Sequence, residues 1–278
     1  MKPLHHRFLF LAILCCTWVA TVHAADDVRA GRLEEAFHDL TQYRFNRAEL
    51  AFTDLAADPN WPLRRDALFG RALALLNTQP QTQDKVRLAE ALFAEVRSVS
   101  AADDLGIGAR YFSARLHQVH FQPANVARAR EELLALGNDH PGHYLGQLAW
   151  VRLAFIELFA PGEAEAKRAV LARYEALSLP WIDEHLSAVF HTVLGDATMV
   201  IFGDAARATV HYRKVVQNPE VRELTLVDAL VRIGETAHQA GVADVATDAY
   251  RQVLALSPRD PRAWFIRNRL AGLEGKTP

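Results

Sequence analysis

The stretch "LVRIGETAHQAGVADVATDAYRQVLALSP", Leu230 to Pro258, decides how the chain is read. Leu230, Ile233, Gly234 and Ala237 share one face of a helix, because residues three and four apart are neighbours on a helical surface. Ala240-Gly241 ends that helix, since glycine accepts the left-handed backbone that a helix C-terminus favours. Ala246, Tyr250 and Val253 share one face of a second helix, and Pro258 stops it. Two antiparallel helices approach closely only where a side chain is small. Gly234 and Ala246 therefore mark the crossing, and Tyr250 with the aliphatic residues fills the space beside it.

The second-helix spacing recurs. Ala129, Leu133, Leu136 and Pro141 repeat it without error, after a first helix over Tyr111 to His120. Ala208, Tyr212 and Val215 repeat it and close at Pro219, one residue early. Phe45, Ala48, Phe52 and Leu55 end at Asp58-Pro59, and Ala89, Phe93 and Val96 follow a longer turn at Asn77 to Lys85. The unit from His143 to Pro180 is degenerate. Its first helix, "YLGQLAWVRLAFIELF", is apolar on nearly every side, as expected of a helix buried from two directions. The count is about six helix pairs, starting near residues 28, 62, 103, 143, 182 and 221, with a mean spacing of roughly 38 residues. A final helix, Pro261 to Leu273, covers the last apolar face.

The order large-x2-large-Gly-x2-small-x8-Ala-x3-aromatic-x2-apolar-x4-Pro resembles the tetratricopeptide repeat (TPR). The likeness spans most of residues 28 to 273 and is most specific in the last unit. It implies an all-α fold: a right-handed α-solenoid of about six antiparallel helix pairs with a C-terminal capping helix at about 261–273. It also implies a concave groove lined by the first helices, where peptide or helical segments of partners dock. Carried over position by position, the groove of the last unit shows Asp228, Val231, Glu235 and His238. The Ala129 unit shows Tyr111, Ala114, Gln118 and Phe121. This surface mixes apolar, acidic and uncharged polar groups. It lacks the Lys/Arg clamp by which some family members hold a C-terminal carboxylate.

The first 24 residues differ from the rest. Lys2, His5, His6 and Arg7 give a positive start, Phe8 to Val22 is almost wholly apolar, and "VHA" ends the segment in small-x-small form. This pattern is that of a secretory signal peptide cleaved after Ala24, leaving residues 25–278 as the solenoid domain. The apolar run is short for a membrane span, so no stable membrane insertion is expected after cleavage. Cys15 and Cys16 both lie in the signal segment. A mature chain without cysteine excludes thiol catalysis and cysteine metal sites. Export without disulfides points to a periplasm.

The formal net charge is −2, and removing Lys2 and Arg7 with the signal leaves −4. With no basic stripe, nucleic acid is not an expected partner. There is no GxSxG, GxxxxGK[ST] or HExxH pattern. "GIGARY" at Gly106 to Tyr111 is a fragment of a dinucleotide fingerprint that comes after no strand. His117 with His120 and His140 with His143 would allow a metal site, but they are read as histidines at helix ends and loop surfaces. Asp103-Asp104 and Asp183-Glu184 fall near helix starts, where the helix dipole favours negative charge. Trp61, Trp150, Trp181 and Trp264 are read as core packing or staples between repeats. No catalytic residue, cofactor or metal ligand is assigned.

The expectation is a non-enzymatic periplasmic scaffold or adaptor that binds a protein or peptide segment in its groove within a cell-envelope complex. Two alternatives stand beside it. A helical enzyme or enzyme regulator acting on envelope polymers needs a groove carboxylate with a raised pKa. A small-molecule or lipid carrier needs a deep apolar cavity near residues 144 to 159.

Overall fold

The structure is a computed structural model that describes residues 27–275, so residues 1–24, read from the sequence as a signal peptide, lie outside the described residues. Among those residues are thirteen α-helices, one five-residue π-helical turn and no strand. Six helix pairs succeed one another: α1 (Asp27–Thr41) with α2 (Phe45–Leu55), α3 (Arg64–Asn77) with α4 (Gln83–Val99), and α5 (Asp104–Arg115) with α6 (Val126–Asp139). Then come α7 (Tyr144–Phe159) with α8 (Ala164–Glu175), α9 (Glu184–Phe202) with α10 (Ala205–Val216), and α11 (Glu223–Gln239) with α12 (Ala243–Leu256). Helix α13 (Ala263–Leu273) closes the series. The π turn, Leu116–His120, continues α5.

Packing divides the chain into two compact units, one up to Leu136 and one from Gly137. Within each, helices pack on neighbours in sequence, as α3 on α4 and α11 on α12, and on the next-but-one helix: α1 on α2 and α3, and α9 on α10 and α11. This is the organisation of a TPR-like α-solenoid.

The helix ends are set by local chemistry. Asp103 accepts a hydrogen bond from the Gly106 N–H and caps α5, and Asp183 does the same for α9 through the His185 N–H. Thr82 and Asp204 cap α4 and α10. Gly241, at φ 73°, takes the left-handed turn after α11. In "GIGARY" the first glycine has a packing role, because a Cβ on Gly106 would collide with the Ser100 carbonyl oxygen.

The paired small and large second-helix positions that defined the repeat are interior. Ala48, Phe52, Ala89, Phe93, Ala129, Leu133, Ala208, Tyr212, Ala246 and Tyr250 are all buried. Helix α7 buries residues around most of its circumference, among them Leu145, Ala149, Val151, Leu153 and Leu158, and leaves Phe155 exposed. Gln147 is buried there too. Its amide nitrogen donates to the Pro141 and Pro180 carbonyls and its oxygen accepts from the Ile182 N–H, so one side chain holds both flanking loops. Helix α9 is long and apolar enough, by length and composition, to cross a membrane. Here its Leu186, Ala188, Phe190, Leu194 and Ala197 are buried, and the helix packs on α7, α8, α10 and α11.

Three tryptophans are packed. Trp61 is buried, Trp150 lies against Gly137 and Tyr174, and the Trp181 ring stands 5.2 Å from that of Phe190. Trp264 departs from expectation. Helix α13 turns Ala263, Ile266 and Leu270 inward, and Trp264 is 74% exposed on its outer side.

Candidate interaction face

In the second unit, each first helix sets a carboxylate opposite the tyrosine of its own second helix. The Tyr174 hydroxyl donates to Glu157 at 2.7 Å, the Tyr212 hydroxyl donates to Asp196 at 2.9 Å, and the Tyr250 hydroxyl donates to Glu235. In two pairs the carboxylate stands directly after a glycine, Gly195-Asp196 and Gly234-Glu235. A Cβ on either glycine would lie 2.5 Å from the tyrosine ring. The missing side chain lets the ring close on the helix, and that approach delivers its hydroxyl to the acid. Burial, together with the adjacent carboxylate, pushes all three phenols well above their ordinary range.

Arginines complete the arrangement. Arg232 of α11 reaches back to Asp196, with Nε at 2.8 Å from Oδ1 and Nη2 at 3.2 Å from Oδ2, and so ties one pair to the next. Arg173 meets Glu157. Hydrogen bonding to Asp196 raises the Arg232 pKa further.

Of the sequence-derived groove residues, the last unit holds four along α11. Asp228 is exposed and bridges to Arg262 at 2.8 Å. Val231 is half-buried. Glu235 accepts from Tyr250, and His238 Nε2 lies 2.9 Å from Arg269 Nη1. Three of the four thus touch α12, α13 or the turn between them.

The first unit requires a correction. Tyr111 and Ala114 are buried, so neither faces a docked partner. Helix α5 buries Gly106, Ile107, Ala109, Tyr111, Ser113 and Ala114, on more than one side, and a frame that assumes one open face fails there. At its end the π turn widens the helix and rotates the residues after it out of the α-helical register. Gln118 is half-buried and bonded to Arg115, and Phe121 stacks on His117 at 5.0 Å.

The histidines are also placed differently from one another. His143 caps α7, accepting from the Leu145 N–H. His120 sits 3.2 Å from Gln81, and burial lowers its pKa. His117 is a correction: it is buried rather than at a surface, with Nε2 3.0 Å from Glu90 and 3.9 Å from Glu132. Arg128, 3.4 Å from Glu90 and 3.0 Å from Glu132, already supplies a cation beside these carboxylates. Among the described residues no group of three or more His, Cys, Asp or Glu is placed to hold a metal. Asp66, in the first turn of α3, is raised by burial, against the pull of its own backbone and Arg65.

The acid–tyrosine ladder was missed by sequence reasoning apart from Glu235, Tyr212 and Tyr250. Its signal was present as the Gly-acid dipeptides at 195–196 and 234–235.

Compared with protein-family models and with curated proteins, the chain finds no match. Among solved structures it is similar to a tetratricopeptide repeat protein from Parabacteroides merdae ATCC 43184. That likeness covers 88% of this chain and 98% of that one at 12% identity, with a TM-score of 0.32.

Proposed function

We propose that the mature chain, residues 25–278, is a non-enzymatic scaffold or adaptor. It acts in the periplasm after cleavage behind Ala24 and binds a protein or peptide segment within a cell-envelope complex. A TPR-like fold supports the protein-interaction part of this reading. The observation that carries it is the α11 face, where Asp228, Val231, Glu235 and His238 line up on one helix and Asp228 stays exposed. An extended or helical segment meets there a mixture of apolar surface, acceptors and donors, as transient protein interfaces do. Export rests on the sequence of residues 1–24.

The test is an in-cell photo-crosslink. A photoreactive residue replaces Asp228, with exposed Arg213 on α10 as control, and adducts are identified by mass spectrometry. A discrete protein adduct from position 228 alone is the expected result. Equal labelling from both positions, or no protein adduct, overturns the proposed face.

A further inference from the structure

Between α9 and α10 lies an open pocket of about 320 Å³, within the size range of small-molecule sites. Its two walls differ in chemistry. Glu184, Ser187 and His191 stand one turn apart along α9 and offer acceptors. Across from them, Lys214 and Gln217 offer donors. Asn218 fixes the rim: its amide donates to Glu184, and its oxygen accepts from the Glu220 N–H at 3.0 Å. Glu220 adds a second carboxylate at the mouth.

The groups behind His191 set its protonation. Arg207 binds the Glu175 carboxylate, with Nε at 2.8 Å from Oε1. His211 Nε2 lies 3.0 Å from that same oxygen. An ionised carboxylate only accepts, so His211 Nε2 carries the proton; burial favours the neutral ring, whose Nδ1 is then bare. His191 Nδ1 stands 3.5 Å from that bare nitrogen and supplies the proton between them. That leaves Nε2 as the acceptor of His191, a residue of the pocket lining. Burial, Lys214 and His211 together push the His191 pKa down to about 4, so the neutral ring is the resting form at neutral pH.

We propose that this pocket binds a small zwitterion of the free amino-acid class, its ammonium held by His191, Ser187 and Glu184 and its carboxylate held by Lys214. A lone cation meets Lys214 and a lone anion meets Glu184 and Glu220. Only a ligand with both charges satisfies both walls. The neutral His191 accepts an ammonium proton without first losing one of its own.

Calorimetric titration of the full chain at pH 7 with the free L-amino acids tests this, with methylamine and acetate as half-ligands. At least one amino acid should bind about tenfold or more tighter than either half-ligand. Lys214→Met alters an exposed side chain and leaves the fold intact by circular dichroism. It should cost that amino acid about tenfold in affinity while methylamine, freed of the like charge, binds at least as tightly as before. His191→Leu, which removes the acceptor, should weaken both. The proposal is overturned if no amino acid saturates below about 10 mM, if the half-ligands bind as tightly, or if Lys214→Met leaves the amino-acid affinity unchanged.

Discussion

The two units meet one repeat spacing with different chemistry. In the first, the Phe69, Phe93 and Phe112 rings of three successive helices stand 5.8 to 6.1 Å apart. They belong to, or pack against, one buried cluster running from Leu33 to Leu116. In the second, the rings facing the Gly195 and Gly234 positions are tyrosines, each bonded to a carboxylate, and buried apolar residues form smaller groups around α9 to α13. A phenylalanine needs only space and neighbours. A buried tyrosine also needs an acceptor, because an unpaired hydroxyl costs about 1–3 kcal/mol. At these ring positions the first unit therefore rests on packing, and the second adds hydroxyl–carboxylate ties that are sensitive to single atoms.

The contrast can be broken most forcefully in the first unit. Phe93→Ala removes a fully buried ring from the centre of the aromatic group. It should cost about 3–5 kcal/mol in urea unfolding, since the surrounding helices relax only partly into the cavity. A loss of less than about 1 kcal/mol would show that the continuous cluster is not what holds this unit.

Acidification addresses the second unit. The His191 pKa is about 4 in the folded chain against an ordinary 6.5, so below pH 6.5 the unfolded chain takes up a proton that the folded chain refuses. His211 is shifted in the same direction, by burial first, although Glu175 opposes it. The stabilisation is whole above pH 6.5 and is lost as pH falls toward 4, with a slope approaching about 1.4 kcal/mol per pH unit. Stability of wild type and His191→Gln, measured between pH 7 and 4.5, checks this. The variant should show the shallower slope.

The smallest effect sharpens the comparison. Tyr212→Phe turns a second-unit ring into the first-unit kind and removes one donor from Asp196, which keeps Arg232. A loss of about 1 kcal/mol is expected in thermal or urea unfolding. No loss at all would mean that the hydroxyl–carboxylate tie contributes nothing and that the two units differ only in composition.

The repeat frame was legible because burial keeps a helical period. Ala246, Tyr250 and Val253, spaced four and three apart, had to face one way, and the alternation of small and large residues located the crossing of α11 and α12. The helix caps were equally readable, since Asp103 and Asp183 act on N–H groups two or three residues away. Open faces were less readable. Whether Tyr111 is exposed depends on what covers the far side of α5, and no local pattern carries that information. The π turn at Leu116–His120 left no clear mark either. His117 and His120 looked like a pair on one face, but His117 is the buried member, stacked on Phe121.

The amino-acid order alone determined the all-helical class, the six pairs with their final helix, and the glycine and alanine crossings. These depend on period, on capping and on side-chain size, which are properties of neighbouring residues. Tertiary structure alone decided which carboxylates meet which tyrosines, that Arg232 reaches back 36 residues to Asp196, and that His191 shares a pocket with Lys214. Such contacts join residues far apart in the chain. Their geometry is set by how one helix pair seats against the next, which a periodic sequence permits but does not specify.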